Sequence, residues 1–508
     1  MSMDIVTQAL SMLASFPALV AIVLGTLYGI VIGAIPGLGS VLGITVILPF
    51  TFVFDQTVSI ALLLGTYCGS VYGGCIPAIL VNTPGTPQSA ATLFDGYPMA
   101  RRGAAGKALG WATLSSTLGG LGACVILMVA APVLARFGLR FGPIEYFALG
   151  VFALTCIVSV ARESLVKGVF GSAFGLFIAM IGQDPISGIT RYSFDIFELS
   201  AGLSLIPVLV GLFALSEVIW RVAGPVEHSE PLKDKVGISL PSFREVTAHW
   251  KVLVKSTLIG TWIGSLPGIG ATAASLVSYA EAKRSAKDPK RFGTGIPEGV
   301  IASEAANNAV TAGALVPTLA LGVPGDPITA VMLGAMTIQN IVPGPNLFVD
   351  HPALVTFLFL TLFIVNLVMF GLGTSLCPLF ARALRIPEPV LMATVVALIV
   401  VGTYSVNLSG FDLIVLVAAG LVGFAFRWIE IPLAPVVIGF VLSPMIESSL
   451  RRGLIITRDN FWDFFASPIA LALFVLTGLF LAWPALRWVL DRRRQTTQLS
   501  SASAGDVQ

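Results

Sequence analysis

Charge is what this sequence has least of: Asp, Glu, Lys and Arg together make up 11% of its 508 residues, against roughly 25% in soluble domains. That deficit excludes an ordinary water-soluble enzyme. Histidine is scarce as well. His228, His249 and His351 fall in the polar loop or beside Pro352, no two at ligand spacing, so no metal site is expected. The five cysteines, Cys68, Cys75, Cys124, Cys156 and Cys377, form no C-x-x-C pair and lie in or beside apolar runs, where they read as small buried hydrophobes. With a net charge of +2 and basic residues scattered among loops, nothing reads nucleic acid. There is no G-x-x-x-x-G-K-[ST] loop either. The nearest string, Gly103-Ala-Ala-Gly106-Lys107-Ala108, has the wrong spacing and lacks the hydroxyl, so ATP is not expected to bind.

What the sequence has instead is apolar length: Phe16 to Ile35, Val58 to Val81, Ala201 to Trp220, Ala353 to Phe380, Val390 to Val406 and Ile469 to Leu490. Roughly 20 apolar residues cross a hydrocarbon core as a helix. Unpaired backbone amides facing lipid cost several kcal/mol, so such runs must be helical, and their lack of alternation excludes barrel strands. The expected fold is an all-α polytopic membrane protein. Residues Met1 to Gln8 carry Asp4 and no Lys or Arg, unlike a secretory signal, so the first run is expected to stay as a membrane segment.

Two motifs recur in order along the chain. Gly33-Ala-Ile-Pro36-Gly37-Leu-Gly39 answers to Gly264-Ser-Leu-Pro267-Gly268-Ile-Gly270, 231 positions on. Pro77-Ala-Ile-Leu-Val-Asn-Thr-Pro84-Gly85-Thr-Pro87 answers to Pro317-Thr-Leu-Ala-Leu-Gly-Val-Pro324-Gly325-Asp-Pro327, 240 positions on. The difference falls in the polar stretch Lys283 to Gly295, where an insertion is easily accommodated. Such recurrence points to duplication. Cytoplasmic loops are enriched in Lys and Arg. The loop Glu281 to Pro297 carries five basic residues and its counterpart at Phe54 to Thr57 none, whereas Arg101, Arg102 and Lys107 answer to a stretch, Ile341 to Asp350, without any. This pattern favours two inverted repeats with discontinuous, re-entrant helices, although Arg136 and Arg140 resemble Arg382 and Arg385. The expected division is residues 1–220 as the first membrane repeat, 221–250 as a cytoplasmic linker and 251–494 as the second repeat. Residues 495–508, after the basic stop Arg492 to Arg494, read as a disordered tail.

Proline deletes a helical hydrogen bond and glycine permits positive φ, so each Pro-Gly cluster should interrupt a helix. Non-helical backbone at membrane depth is tolerated only inside protein or along a wet cavity, and paired interruptions in two halves mark a carrier's binding site. The bland alternative is ordinary kinks or span ends. On the sharper reading the substrate-binding candidates are Pro36, Gly37, Gly39, Asn82, Thr83, Pro84, Gly85, Thr86, Pro267, Gly268, Gly270, Pro324, Gly325 and Asp326, with Gln88 and Ser89 alongside. Half-helix N-termini favour an anion by up to roughly 2 kcal/mol. Glu304, Asn307 and Asn308 share one helical face. Asn307 and Asn308, with Thr329, are the candidates for cation coupling, interhelical hydrogen bonding being the alternative; Glu304 could cap the helix that follows Pro297. The acids Glu145, Glu217, Asp412 and Glu447 lie near span ends, where solvation or pairing with arginine is expected.

The stretches Gly25-Thr-Leu-Tyr-Gly29, Gly33 to Gly39, Gly73 to Gly85, Phe94-Asp-Gly-Tyr-Pro98, Pro297 to Asn308 and Leu321 to Asp326 resemble the large membrane subunit of the tripartite tricarboxylate transporters, the TctA-like proteins. That resemblance implies a bacterial inner-membrane carrier without a cofactor. Its implied partners are a small membrane subunit and a periplasmic solute-binding protein that delivers a carboxylate such as citrate, and its implied drive is a Na⁺ or H⁺ gradient. A passive anion channel would share the helix breaks. An intramembrane enzyme would need a nucleophile and base or paired acids at depth, which this sequence does not offer. A structural or receptor subunit would have no use for the paired breaks.

Overall fold

The computed structural model describes residues 3–160, 165–184, 186–224, 237–268, 270–383 and 387–482. Most of the polar loop with His228, Lys233 and Lys235, and the terminal segment with Arg492 to Arg494 and 495–508, lie outside the described residues, as does the end of the last apolar run. The described part of that run is helical from Pro468 to Ala482.

The chain is almost wholly helical. Its first part contains α1 (Met3–Leu13), α2 (Phe16–Ala34), α3 (Gly39–Ile47), α4 (Gln56–Gly73), α5 (Cys75–Val81), α6 (Leu93–Met99), α7 (Ala105–Gly138), α8 (Pro143–Val160), α9 (Leu165–Ala179), α10 (Leu205–Leu209) and α11 (Ser216–Ala223). A short antiparallel pair, β1 (Gly182–Gln183) and β2 (Thr190–Arg191), sits between α9 and α10. After α12 (Phe243–Ala248) come α13 (Trp250–Gly264), α14 (Gly270–Ser285), α15 (Pro297–Leu321), α16 (Pro327–Ile338) and α17 (Leu347–Asp350). The last part contains α18 (Pro352–Ala383), α19 (Glu388–Asn407), α20 (Gly410–Trp428) and α21 (Leu433–Ile456). Among the described residues, eight helices are long and apolar enough to cross a membrane.

Glycine sets the closest helix contacts. Gly25, Gly29 and Gly33 recur every fourth residue along α2, and Gly65, Gly69 and Gly73 do so along α4, so each stripe lies on one face. The stripes meet backbone to backbone: a Cβ on Gly29 would lie 2.5 Å from the Thr66 carbonyl, and one on Gly69 2.4 Å from that of Thr26. Lipid tails give apolar helices no hydrophobic reason to associate, so close packing of small residues takes that role. The same device joins α13 to α15, where a Cβ on Gly260 would lie 2.3 Å from the Ala306 carbonyl and one on Gly313 2.5 Å from that of Thr261. Gly29, Gly33 and Gly73 have their counterparts in Gly260, Gly264 and Gly313 at the same 231- and 240-residue offsets as the Pro-Gly motifs.

Contacts between residues also fix direction. In α2 and α4, Gly25 meets Leu62 and Gly33 meets Ser70, so these helices run parallel. The Tyr28 hydroxyl donates to the Gly43 carbonyl at 3.1 Å, so α3 folds back on α2 as a hairpin whose tip is residues 35–38. Likewise Lys255 pairs with Glu281, making α13 and α14 a hairpin whose tip includes residues 265–268. At the centre, Cys68 Sγ lies 3.9 Å from Thr311 Oγ1 and Asn307 Nδ2 donates to the Val71 carbonyl at 3.4 Å. Rising numbers on α4 meet falling numbers on α15, so the two helices are antiparallel. Consequently the α2–α3 hairpin enters from one face of the protein and the α13–α14 hairpin from the other.

The two faces differ in charge. Arg101, Arg102, Lys107, Lys283, Arg284, Lys287, Lys290 and Arg291 gather at one, where Lys107 binds Glu245 at 2.5 Å and Gly295 packs on Pro98. The opposite face carries Asp55, Gln56, Gln339, Asp350 and His351 with Arg136 and Arg140 as counterparts of the eight, Arg136 lying beside Phe348 and Val349, and Gln56 Nε2 donates to the Gln339 carbonyl at 2.7 Å. Around the hairpins, α21 packs on α8 and α9 while α20 packs on α10 and α11, so each part of the chain lends helices to the other's bundle. Of the acids near span ends, Glu217 and Glu447 pair with arginine as expected, whereas Glu145 and Asp412 accept from neutral groups and Asp412 is buried. Glu217 binds Arg221 and Arg427, Glu447 binds Arg191, Glu145 accepts from Gly142 N–H and Ser467, and Asp412 accepts from Asn407. All five cysteines are buried.

Overpacking a closed backbone contact costs about 1–3 kcal/mol. Gly29→Val is therefore expected to lower the thermal midpoint of the purified protein by several degrees in a dye-based melting assay. Gly371→Ala, where a Cβ meets nothing within 4 Å, should leave it unchanged.

Candidate binding site at the interrupted helices

The hairpin tips turn with matching backbone. Gly37 and Gly268 have φ of +79° and +81°, and Gly39 and Gly270 have φ of +70° and +72°. Only glycine adopts such angles freely. The second interruption in each half turns at Asn82 (φ +55°) and Gly322 (φ +70°), 240 positions apart. Within each half the two interruptions touch. A Cβ on Gly85 would lie 2.0 Å from the Gly33 carbonyl, and the Gly268 N–H donates to the Gly325 carbonyl at 2.7 Å. Across the halves, the Tyr67 hydroxyl donates to Asp326 Oδ2 at 2.6 Å and Ser275 Oγ to the Gln88 carbonyl at 2.8 Å. All four Pro-Gly segments thus belong to one connected region around the α4–α15 crossing.

The two half-helices that follow the second interruptions begin differently. At the start of α16, Asp326 is buried and its Oδ1 accepts from the Thr329 N–H at 2.7 Å and from the Thr329 hydroxyl at 2.8 Å. The protein's own carboxylate therefore fills that positive helix end, and Thr329 serves as its cap partner. At the corresponding place in the first half stands Thr86, which leads into a 3₁₀ turn, Pro87–Thr92, without any side-chain cap. Thr86 Oγ1 lies 3.2 Å from Ser89 Oγ, so no charge occupies this end. Exposure differs around the two starts but not at them: Gly37, Asn82 and Pro87 are exposed and Thr83 and Pro84 half-buried, whereas Pro267, Pro324 and Gly325 are buried, and Thr86 and Asp326 are equally buried.

Several buried polar atoms nearby have no hydrogen-bond partner among the described residues. They are Ser40 Oγ at the start of α3, Gln88 Oε1, Asn307 Oδ1, and both Asn308 Oδ1 and Nδ2. A buried unpaired polar group costs about 1–3 kcal/mol, and such groups call for an ion, a water or a ligand. Asn308 lies eleven residues into α15, about 16 Å from its start at 1.5 Å per residue, near the middle of a hydrocarbon core of about 30 Å.

Three residues outside the substrate-binding and cation-coupling candidates hold this region together. Glu304, expected to cap α15, lies seven residues inside that helix and is fully buried. It accepts instead from the Thr92 hydroxyl and from Ser116 Oγ, the latter at 3.0 Å, because its helical position faces α7 and the Pro87–Thr92 turn rather than the free N–H groups. Asp95 is buried beneath the basic loop, where Oδ1 accepts from the N–H groups of Gly295 at 2.7 Å, Ile296 at 3.0 Å and Gly293 at 3.1 Å, and Oδ2 from the Tyr279 hydroxyl at 2.8 Å. Arg221 belongs to α11 and its Nη2 donates to the Pro36 carbonyl at 2.9 Å, occupying the acceptor freed at the first hairpin tip. An acid inside Phe94-Asp-Gly-Tyr-Pro98 was a signal for Asp95; nothing local distinguishes Arg221.

With this geometry, the wider comparison is decisive. Residues 19–438 match the profile described as the tripartite tricarboxylate transporter TctA family. This chain belongs to the TctA family. TctA proteins are transporters, which agrees with a multi-pass helical chain built round interrupted helices, and the family name places this chain as the large subunit of a system with further subunits. One relative, from Agrobacterium vitis, is an uncharacterized 52.8 kDa protein in the TAR-I ttuC' 3' region. It is 37% identical over 451 residues, 88% of this chain and 89% of its own length. An uncharacterized protein in the TAR-II ttuC' 3' region of the same organism is 37% identical over 214 residues, 42% of this chain and 88% of its own length. No solved structure matches significantly.

Removing Asp95 leaves three backbone donors and a tyrosine hydroxyl without their acceptor. Asp95→Ala is expected to loosen the loop 283–296, so that trypsin added to its face cuts at Lys287, Lys290 or Arg291 at least tenfold faster than in the parent protein. Gel analysis of membrane vesicles measures this.

Proposed function

We propose that this TctA chain imports a small carboxylate as a secondary carrier, binding its anionic substrate at the uncapped helix start after Asn82-Thr83-Pro84-Gly85-Thr86. The single observation that carries the reading is the contrast between Asp326 and Thr86. Two equivalent half-helix starts stand in one region, one already neutralised by a built-in carboxylate and the other left with hydroxyls. A substrate carboxylate supplies at Thr86 the negative charge that Asp326 supplies in the other half, in the field of the helix end, while the Ser89 N–H, the counterpart of the Thr329 N–H, stays on the Thr86 carbonyl at 3.0 Å. Pro36, Gly37, Gly39, Pro267, Gly268 and Gly270 shape the surrounding hairpin tips, while Asn307 Oδ1 and Asn308 Oδ1, which lack other partners, coordinate the coupling cation where it is Na⁺.

The antiparallel α4 and α15, the hairpins entering from opposite faces and the matched glycines support the reading of two inverted repeats. The basic face becomes cytoplasmic by the positive-inside rule, in the inner membrane of a bacterium. A small membrane subunit and a periplasmic solute-binding protein complete the system, the latter delivering citrate or a related organic acid to the opposite face. Coupling to cations is a physical requirement. Moving a dianion inward costs roughly 4.6 kcal/mol at 100 mV, from about 2.3 kcal/mol per charge, so at least as many cations must accompany it.

Proteoliposomes containing both membrane subunits, supplied with the binding protein and radiolabelled citrate or another carboxylate, test this with Na⁺ and pH gradients imposed singly. Thr86→Asp is expected to cut uptake below a tenth of the parent rate while Thr86→Ser keeps most of it, both variants eluting as folded protein. Full uptake by folded Thr86→Asp would refute the assignment. Uptake that never saturates would indicate a channel instead. Gly85→Ala is a poor test, because its Cβ collides with the Gly33 carbonyl whatever the site binds.

A further inference from the structure

At the basic face a cavity of about 590 Å³ opens between the bases of α13 and α14. Four cations line it: Lys251, Lys255, Lys287 and Arg291. Lys255 is matched by Glu281, which also binds Arg284. No carboxylate lies within 4 Å of the charged nitrogens of Lys251, Lys287 or Arg291 among the described residues. Of the two acids on its wall, Asp288 turns its Oδ1 to the Lys290 N–H at 3.2 Å, and Glu298 places Oε1 3.3 Å from His249 Nε2. The second oxygen of Glu298, Oε2, is buried and has no hydrogen-bond partner among the described residues.

We infer that this cavity binds a molecule bearing an oxyanion next to a hydroxyl or ammonium group, with an apolar arm. The oxyanion answers Lys251, Lys287 and Arg291, three exposed cations on the cavity wall with no carboxylate within 4 Å among the described residues. The neighbouring O–H or N–H answers Glu298 Oε2, which needs a donor. The arm answers the remainder of the wall, where Val252, Ile259 and Phe292 supply apolar surface. Two sources offer this chemistry, a phospholipid headgroup and a soluble hydroxy- or amino-acid anion.

The surroundings favour the lipid. On α13 the residues Trp250, Val254, Leu258 and Trp262, each four positions after the last, are 53%, 45%, 54% and 69% exposed. They form an apolar stripe facing lipid, with Trp250 at the base of the helix, where an indole suits the interface. Lys251, Lys255 and Ile259 lie one position after these residues and so on the adjoining face of the helix, which places the cavity at the edge of that lipid-facing surface. A headgroup seated there bridges the bases of the hairpin whose tip carries Pro267 and Gly268. The site is distinct from the substrate position at Thr86 and does not depend on it.

Binding to the full-length chain in an uncharged detergent tests this by calorimetry with three probes: dihexanoyl phosphatidylglycerol, dihexanoyl phosphatidylcholine and glycerol 1-phosphate. Phosphatidylglycerol is expected to bind at least tenfold more tightly than the other two. Combining Lys251→Ala, Lys287→Ala and Arg291→Ala should weaken it at least tenfold, and Glu298→Gln about threefold. Lys283→Ala, outside the cavity, should leave it unchanged. Should the triple variant fail to melt cooperatively, Lys251→Gln and Arg291→Gln taken singly serve instead, each expected to weaken binding at least threefold. Glycerol 1-phosphate binding as tightly as the lipid, with the same dependence on Lys251 and Arg291, would keep the site and reassign it to a soluble anion. Affinity for phosphatidylglycerol that ignores all these substitutions, or no binding of any probe, would overturn the inference.

Discussion

Backbone polar groups cannot be left bare in hydrocarbon, and this constraint governs how the TctA chain is arranged. Each Pro-Gly interruption frees N–H and C=O groups that a continuous helix would have satisfied. The protein places all four interruptions against one another and meets the freed groups from within: the Gly268 N–H by Gly325, the Gly85 N–H by Gly74, the Pro36 carbonyl by Arg221. Glycine stripes let the helices approach closely enough for this. A bulkier residue at Gly29 or Gly260 would push apart the helices that carry the interruptions.

From the same constraint follows the functional asymmetry. Equivalent positions in the two halves have similar backbones but different side chains: Asp326 against Thr86, Asn308 against Cys68, Asn307 against Tyr67. Buried carboxylates and amides are costly unless partnered. Asp326 has its partners in Tyr67 and Thr329, and Glu304 in Thr92 and Ser116. By contrast Ser40, Gln88, Asn307 and Asn308 retain atoms without any, and those atoms lie in the region where Thr86 leaves a helix start open. On the proposed reading, one half fills its own anion position with Asp326 and the other offers the equivalent position at Thr86 to substrate.

Much of this was legible in the sequence because it is local. Apolar runs gave the spans, and Pro-Gly clusters gave the interruptions at Gly37, Asn82, Gly268 and Gly322, since chain geometry there depends on the residue itself. Even the opposite entry of the two hairpins was foreshadowed by the basic residues after α14 and their absence before α4. What could not be read is long-range. Glu304 meets Thr92 across more than 200 residues, Asp95 is buried under a loop at Gly293 to Ile296, and Arg221 reaches a carbonyl 185 positions earlier. No local pattern encodes such pairings; they exist only once α7, α11 and α15 are packed. The offset of 231 that relates Gly29 and Gly33 to Gly260 and Gly264 was present in the sequence as well, but its meaning as a helix contact emerges only with the fold.

Substrate protection of the first interruption tests the central claim most directly. In a background with the five buried cysteines replaced, Asn82→Cys places a thiol at an exposed turn beside Thr86, and its reaction with a membrane-impermeant maleimide can be timed in proteoliposomes. The account predicts that saturating carboxylate substrate, presented with the binding protein, slows this reaction at least fivefold while leaving a cysteine at Thr294, in the exposed loop of the basic face, unaffected. Equal labelling of the Asn82→Cys protein with and without a carboxylate that the same liposomes transport would contradict it.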